Sequence, residues 1–151
     1  MRRYFEDYEL GSSAEFGAVE VSADEIVGFA RRYDPQPFHL DGADESSPYG
    51  GLIASGWHTA SMAMRVMVDE VIDGETSLGS PGLGPIRWPL PVRPGDVLRV
   101  RVNVVAVKPS SKKPDRGAVT FRVEAFNQND EIVMVVEDWI GIVKRRPNGT
   151  P

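Results

Sequence analysis

The sequence contains no cysteine, which excludes disulfides, thiolate nucleophiles and cysteine-bound metals. Histidine is scarce: His39 and His58 are the only two, so any histidine chemistry is confined to one window of the chain. Positive charge is short as well, since 17 Lys and Arg against 22 Asp and Glu leave a net charge of −5. No aromatic residues interleave with a basic run, and nucleic acid is therefore a poor partner. No apolar run reaches membrane-spanning length, and the amino terminus MRRYFEDYEL carries acids where a secretory signal needs an apolar core. No membrane association and a soluble, cytoplasmic protein are expected. The 151 residues, 41% of them hydrophobic, suffice for one core and fall short of two. A single domain over residues 1–151 is expected, with about residues 145–151 as a flexible tail.

The remainder of the chain reads as two helices followed by strands. SADEIVGFARR (22–32) opens on an N-cap serine and an acidic first turn and ends in arginines, which predicts a short amphipathic helix stopped by Asp34-Pro35. From about Leu52 to Ile72 only a narrow stripe of Ser61, Arg65, Asp69 and Asp73 is polar, which predicts a longer, mostly buried helix. Beyond it, Leu83 to Trp88, Val97 to Lys108, Gly117 to Asn127 and Glu131 to Val143 are valine-rich and separated by turn signals. Short connections between successive strands give an antiparallel sheet, and one long apolar helix beside it gives an α+β architecture in which the sheet curls around the helix.

Both histidines flank unusual chain. In YDPQPFH (33–39) prolines fix φ at 35 and 37 and hold Asp34 and Gln36 extended, which makes a stiff loop between a carboxylate and an imidazole. Two groups can share one water only if neither wanders. The plainer reading is that Asp34-Pro35 caps the preceding helix and His39 packs on the surface. The histidine spacing offers no metal ligand set, and GGLIASG lacks the Gly-Lys-Ser/Thr ending of a phosphate-binding loop.

The stretch YDPQPFHLDGADESSPYGGLIASGWHTASMAMR resembles the signature of the MaoC-like dehydratases, the (R)-specific enoyl-CoA hydratases. Its usual form is Asp-x-Asn-Pro-x-His, then an apolar-acidic stretch, then Gly-Gly-x-Ile-Ala-His-Gly. PVRPGDVLRVRVNVVAV resembles the second half of that family, so the likeness runs through nearly the whole chain. It implies the hot-dog fold, a curled antiparallel sheet around one central helix. It also implies reversible hydration of an enoyl-CoA thioester, with Asp34 and His39 as the acid/base pair on the reacting water and Gly56 as the N–H donor to the thioester oxygen. No metal and no separate cofactor are implied, since CoA is part of the substrate.

Two positions depart from the signature: Gln36 stands for the usual asparagine and Ser55 for the usual histidine before Gly56. Gly51, Ser55 and Trp57 around that glycine, Arg87 and Trp88 in the next strand, and Lys112 and Lys113 in the basic PSSKKPDRG turn form the expected substrate-binding set, the lysines reaching CoA phosphates across a dimer. A homodimer or higher even oligomer is expected, because a single curled sheet leaves edges uncovered. His58 has no role in the resemblance and is expected on the polar stripe of the long helix. An acyl-CoA thioesterase, a non-catalytic acyl-CoA binding module and a purely structural dimerisation domain remain the competing readings.

Overall fold

The computed structural model describes residues 2–148. In chain order its elements are β1 (Ser13–Glu20), α1 (Ala23–Tyr33), α2 (Gly56–Glu70), β2 (Ile86–Arg87), β3 (Val97–Pro109), β4 (Arg116–Phe126) and β5 (Ile132–Lys144), with 3-10 turns at Phe5–Asp7 and Pro37–His39. The strands form one antiparallel sheet in the order β1-β3-β4-β5-β2.

Alternation dictates which face of the sheet turns inward. Along β3, Leu98, Val100, Val102 and Val104 are buried while Arg99, Arg101 and Asn103 are not. The pairings of Val102 with Val123 and of Val123 with Val136 continue that buried row across three strands. Met62, Ala63, Val66 and Met67 on α2 close the same core, each fully buried aliphatic side chain contributing about 1.5–3 kcal/mol. On the other face Arg101 pairs with Glu15, and Arg122 and Arg87 both reach Glu137. The hot-dog arrangement expected from the sequence is the arrangement found.

Several boundaries differ, each for a local reason. β1 lacks the apolar alternation that betrays a strand, because it is an edge strand with only Phe16 and Val19 partly buried. Pro85 and Pro89 trim β2 to two residues, leaving Leu83 as an isolated bridge to Trp139. α2 starts at Gly56 rather than near Leu52, because Gly50 and Gly51 adopt φ of 70° and 144° and the N–H groups of Ile53 and Ala54 bond to Phe38 and Val92 instead of joining a helix. Arg145 and Arg146, expected in a loose tail, are tied down: Arg145 donates from its backbone to the Asp115 carbonyl at 2.7 Å and from its side chain to Glu6, and Arg146 pairs with Asp7. Residues 149–151 of that expected tail lie outside the described residues. Among the described residues no helix is long and apolar enough to cross a membrane.

Candidate active site

Three segments meet at the N-terminus of α2. The Ile53 N–H donates to the Phe38 carbonyl at 3.1 Å, and the Ala54 N–H donates to the Val92 carbonyl at 2.8 Å. The stretch before α2 is thereby pinned between the Pro37–His39 turn and the segment leading into β3.

Asp34 sits at the C-cap of α1, where its N–H donates to the Ala30 carbonyl at 2.9 Å. The capping role read from the sequence is therefore real, but His39 does not pack on the surface. It is 5% exposed, and its Nδ1 lies 2.7 Å from the Ile53 carbonyl. A carbonyl only accepts, so Nδ1 carries a proton and Nε2 is left facing Asp34, 3.3 Å from Oδ2. The Gln36 amide donates to Asp34 Oδ1 at 2.6 Å and the Ser55 hydroxyl donates to Oδ2 at 2.8 Å. Burial by itself raises the Asp34 pKa, but the two donors and the neighbouring imidazole outweigh it, and the carboxyl is held below its ordinary value. Asp34 is thus an ionised acceptor at neutral pH.

Ser55 ties this pair to the helix. Its hydroxyl oxygen also accepts from the Trp57 N–H at 3.3 Å, so one fully buried side chain caps α2 and braces Asp34. The Gly56 N–H next to it has no hydrogen-bond acceptor among the described residues, as expected for a donor in the first turn of a helix. A Cβ added at Gly56 would lie 2.5 Å from the Trp88 indole, so that ring rests directly on the glycine. Trp57 meets Trp88 edge to face.

Asp34, His39 and Gly56 share one open cavity of about 490 Å³, walled by Phe38, Tyr49, Trp57, Trp88 and Leu90. It is acidic and hydrogen-bonding at its inner end and aromatic at its mouth. A carboxylate beside an imidazole, a free N–H and apolar walls within one space suit addition to a polarised carbon–carbon bond.

The expected substrate-binding residues divide. Trp57 and Trp88 line the cavity. Ser55 does not, because it is fully buried behind Asp34. Arg87 does not either, as its guanidinium pairs with Glu137 on the outer face of the sheet. Gly51 lies in the adjoining loop, held by Ser47. Lys112 and Lys113 sit in the turn after β3 and are not among the residues that line the cavity. No contact within one chain brings them to the site. Phe38, Tyr49, Thr59 and Leu90 were not expected there; bracketing prolines in WPLPV were the available signal for Leu90. Among the described residues no group of three or more potential metal ligands occurs.

His58 contradicts the polar-stripe expectation. It is 7% exposed, its ring stacks on Phe29 at a centroid distance of 5.0 Å, and its Nδ1 is buried without a hydrogen-bond partner among the described residues. Burial lowers its pKa, with Glu25 opposing weakly. The unfolded chain therefore binds this proton more readily than the native one. Stability is intact above the ordinary histidine value of 6.5 and is lost as pH falls from there through the depressed native value. His58→Phe, which keeps the stacked ring, is expected to lose less Tm than wild type on going from pH 8 to acid. Parallel Tm–pH curves for the two proteins would count against the assignment.

Comparison with known proteins gives consistent findings. The family model of the MaoC like domain matches residues 8–126. A curated relative, 3-hydroxybutyryl-CoA dehydratase of Methylorubrum extorquens, is 33% identical over 148 residues, covering 94% of this chain and 85% of that protein. Among solved structures, a MaoC-like dehydratase from Rhodospirillum rubrum is 39% identical with a TM-score of 0.86, covering 97% and 99% of the two chains. A Mycobacterium tuberculosis protein described as a double hotdog fold has a TM-score of 0.78 at 17% identity and is likened here by fold alone; the match covers 99% of this chain and 46% of that one.

Proposed function

Because the chain belongs to the MaoC-like dehydratase family, we propose that it catalyses the reversible hydration of an enoyl-CoA thioester. The same site run backwards dehydrates a 3-hydroxyacyl-CoA. The observation that carries this reading is the Asp34–His39 pair, 3.3 Å apart with His39 buried, in the same cavity as the unpaired Gly56 N–H.

The chemistry follows from that geometry. A water held between Asp34 Oδ2 and His39 Nε2 attacks the β-carbon of the trans-2-enoyl thioester as the pair takes up its proton. Electron density moves through the double bond onto the thioester oxygen, where the Gly56 N–H and the positive end of α2 stabilise the enolate. The pair then returns that proton to the α-carbon and the carbonyl re-forms, so that one water has added across the bond and the pair is reset. Gln36 and Ser55 keep Asp34 ionised and aimed throughout. Every step is carried by side chains, a backbone N–H and water. The (R) configuration at the β-carbon belongs to this reading because the motif from Asp34 to Gly56 resembles that of (R)-specific hydratases.

A homodimer belongs to it too. β1 and β2 are edge strands, Met64 and Val68 of α2 are 38% and 47% exposed, and the double-hotdog neighbour holds about twice this chain's length. One purified sample tests both parts. Loss of the conjugated enoyl absorbance without release of free thiol, from a species of about twice the 16.6 kDa chain mass in light scattering, is the expected result. Thiol release with the conjugation intact would make the protein a thioesterase. Tight binding with neither change across a broad acyl panel would leave a binding module.

A further inference from the structure

The proposed substrate is anionic, yet the cavity contains no arginine or lysine of its own. Among the described residues, a single Lys or Arg hydrogen-bonds a residue that lines it: Arg93, whose Nη2 donates to the Tyr49 carbonyl at 2.6 Å. Arg93 follows Val92, another lining residue, and is exposed at the rim. Its surroundings set it apart from most arginines of this acidic chain, which spend their charge on carboxylates, as Arg31 does with Asp41 and Arg87 with Glu137. No carboxylate lies within salt-bridge distance of the Arg93 guanidinium among the described residues, and its Nε and Nη1 have no acceptor there.

The backbone that carries the guanidinium is also held in place. The Arg93 N–H donates to Asp96 Oδ2 at 2.9 Å, and the Asp96 N–H returns to the Arg93 carbonyl at 3.1 Å, closing a tight turn through Pro94 and Gly95. Asp96 is itself buried and bonded to Gln128 at 3.0 Å. Across the rim, Gly51 passes beside the guanidinium: a Cβ built there would stand 3.8 Å from Nη1, an ordinary contact distance. A planar fork with two free donor positions, fixed at the mouth of a thioester cavity and unneutralised, is matched to a phosphate or carboxylate oxyanion.

The geometry points to Arg93 as the residue that binds an oxyanion of the thioester substrate at the cavity mouth, either a CoA phosphate or a carboxylate on the acyl group. This rests on reading the cavity as a thioester site. Arg93 lies outside the acid/base pair, so its contribution falls on binding rather than on the chemical step.

Three thioesters separate the possibilities: a neutral enoyl-CoA, the same neutral acyl on pantetheine, which lacks phosphate, and a carboxylate-bearing enoyl-pantetheine. Arg93→Ala is expected to raise KM about tenfold, the scale of one charge-assisted hydrogen bond, with kcat unchanged and with added salt shrinking the difference. A rise on the neutral enoyl-CoA alone identifies a phosphate, and a rise on the carboxylate-bearing pantetheine thioester identifies the acyl carboxylate. Arg93→Lys should recover part of the loss, because it keeps the charge but not the fork. An equal rise on the neutral pantetheine thioester would mean that Arg93 only braces the Tyr49 loop, and no rise on any substrate would remove it from the site; either result overturns the inference. Should wild-type protein turn over none of the three, the hydratase reading fails separately. Calorimetric titration with CoA and with the carboxylate-bearing enoyl-pantetheine then decides the Arg93 inference: a Kd about tenfold weaker for Arg93→Ala toward either one supports it, and equal values toward both overturn it.

Discussion

Asp34→Asn and His39→Gln are each expected to lower kcat on the order of 10²-fold or more, the usual scale for deleting one acid/base group. Asparagine at 34 keeps the size of the side chain but not a basic oxygen. It also presents an amide where Gln36 and Ser55 both donate, so one of those bonds must break or turn. Glutamine at 39 can still donate to the Ile53 carbonyl, but it has no ring nitrogen to face Asp34. The structural costs differ. Asp34 keeps 18% side-chain exposure, and its variant should melt close to wild type. His39 is buried and bonded, so its loss is expected to cost about 1–3 kcal/mol, a drop of several degrees in Tm for a chain of this size. The double variant should lose less than the product of the single effects, since both residues serve one water. Steady-state kinetics on an enoyl-CoA, with circular dichroism as the folding control, make the measurement. Retention of half the wild-type kcat by either folded variant would sink the shared-water scheme.

The pairing of Asp34 with His39 was legible because its stiffness is written in the chain: prolines at 35 and 37 leave the two residues little choice of position. β3 was equally legible, since Leu98, Val100, Val102 and Val104 alternate with polar residues. What the sequence withheld depends on partners distant along the chain. β1 is a strand because β3 offers it hydrogen bonds from Ser13 through Glu20, and as an edge strand it needs no apolar alternation of its own. Arg87 is claimed by Glu137, which is 50 residues away, and nothing local to Arg87 announces that.

Ser55 and His58 show the same limit inside the motif itself. A serine before Gly56 reads as a pocket residue, yet a small hydroxyl can turn inward to brace Asp34 and cap α2 at once. His58 reads as polar from its type, but three residues beyond Ser55 the turn of the helix faces Phe29 on α1, and the ring is buried there. The periodicity of α2 was clear; which side α1 would cover was not. Helix α1 thus affects the site twice, by carrying Asp34 at its end and by closing over His58.

Gly56→Ala is expected to separate stability from activity. Alanine favours a helix over glycine by up to about 1 kcal/mol, and Gly56 is the first residue of α2, so on local grounds the variant should fold at least as well as wild type. The added methyl nonetheless falls 2.5 to 2.9 Å from three indole carbons of Trp88. Real side chains do not tolerate such contacts, so either the indole swings away or the start of the helix backs off. A displaced indole removes a wall of the cavity, and a displaced helix start moves the Gly56 N–H away from the thioester oxygen. Since a lost oxyanion donor typically costs 10²–10³ in kcat, a fall of about 10²-fold in kcat with Tm unchanged or raised is the expected result. The pair Trp88→Ala and Gly56→Ala/Trp88→Ala distinguishes the two routes. If the methyl acts by pushing the indole, the double variant should be no worse than Trp88→Ala alone; if it shifts the helix or blocks the thioester directly, the double variant should remain well below it. Full wild-type kcat in Gly56→Ala would mean that the thioester oxygen finds its donor elsewhere, and the Gly56 N–H would have to be withdrawn from the mechanism.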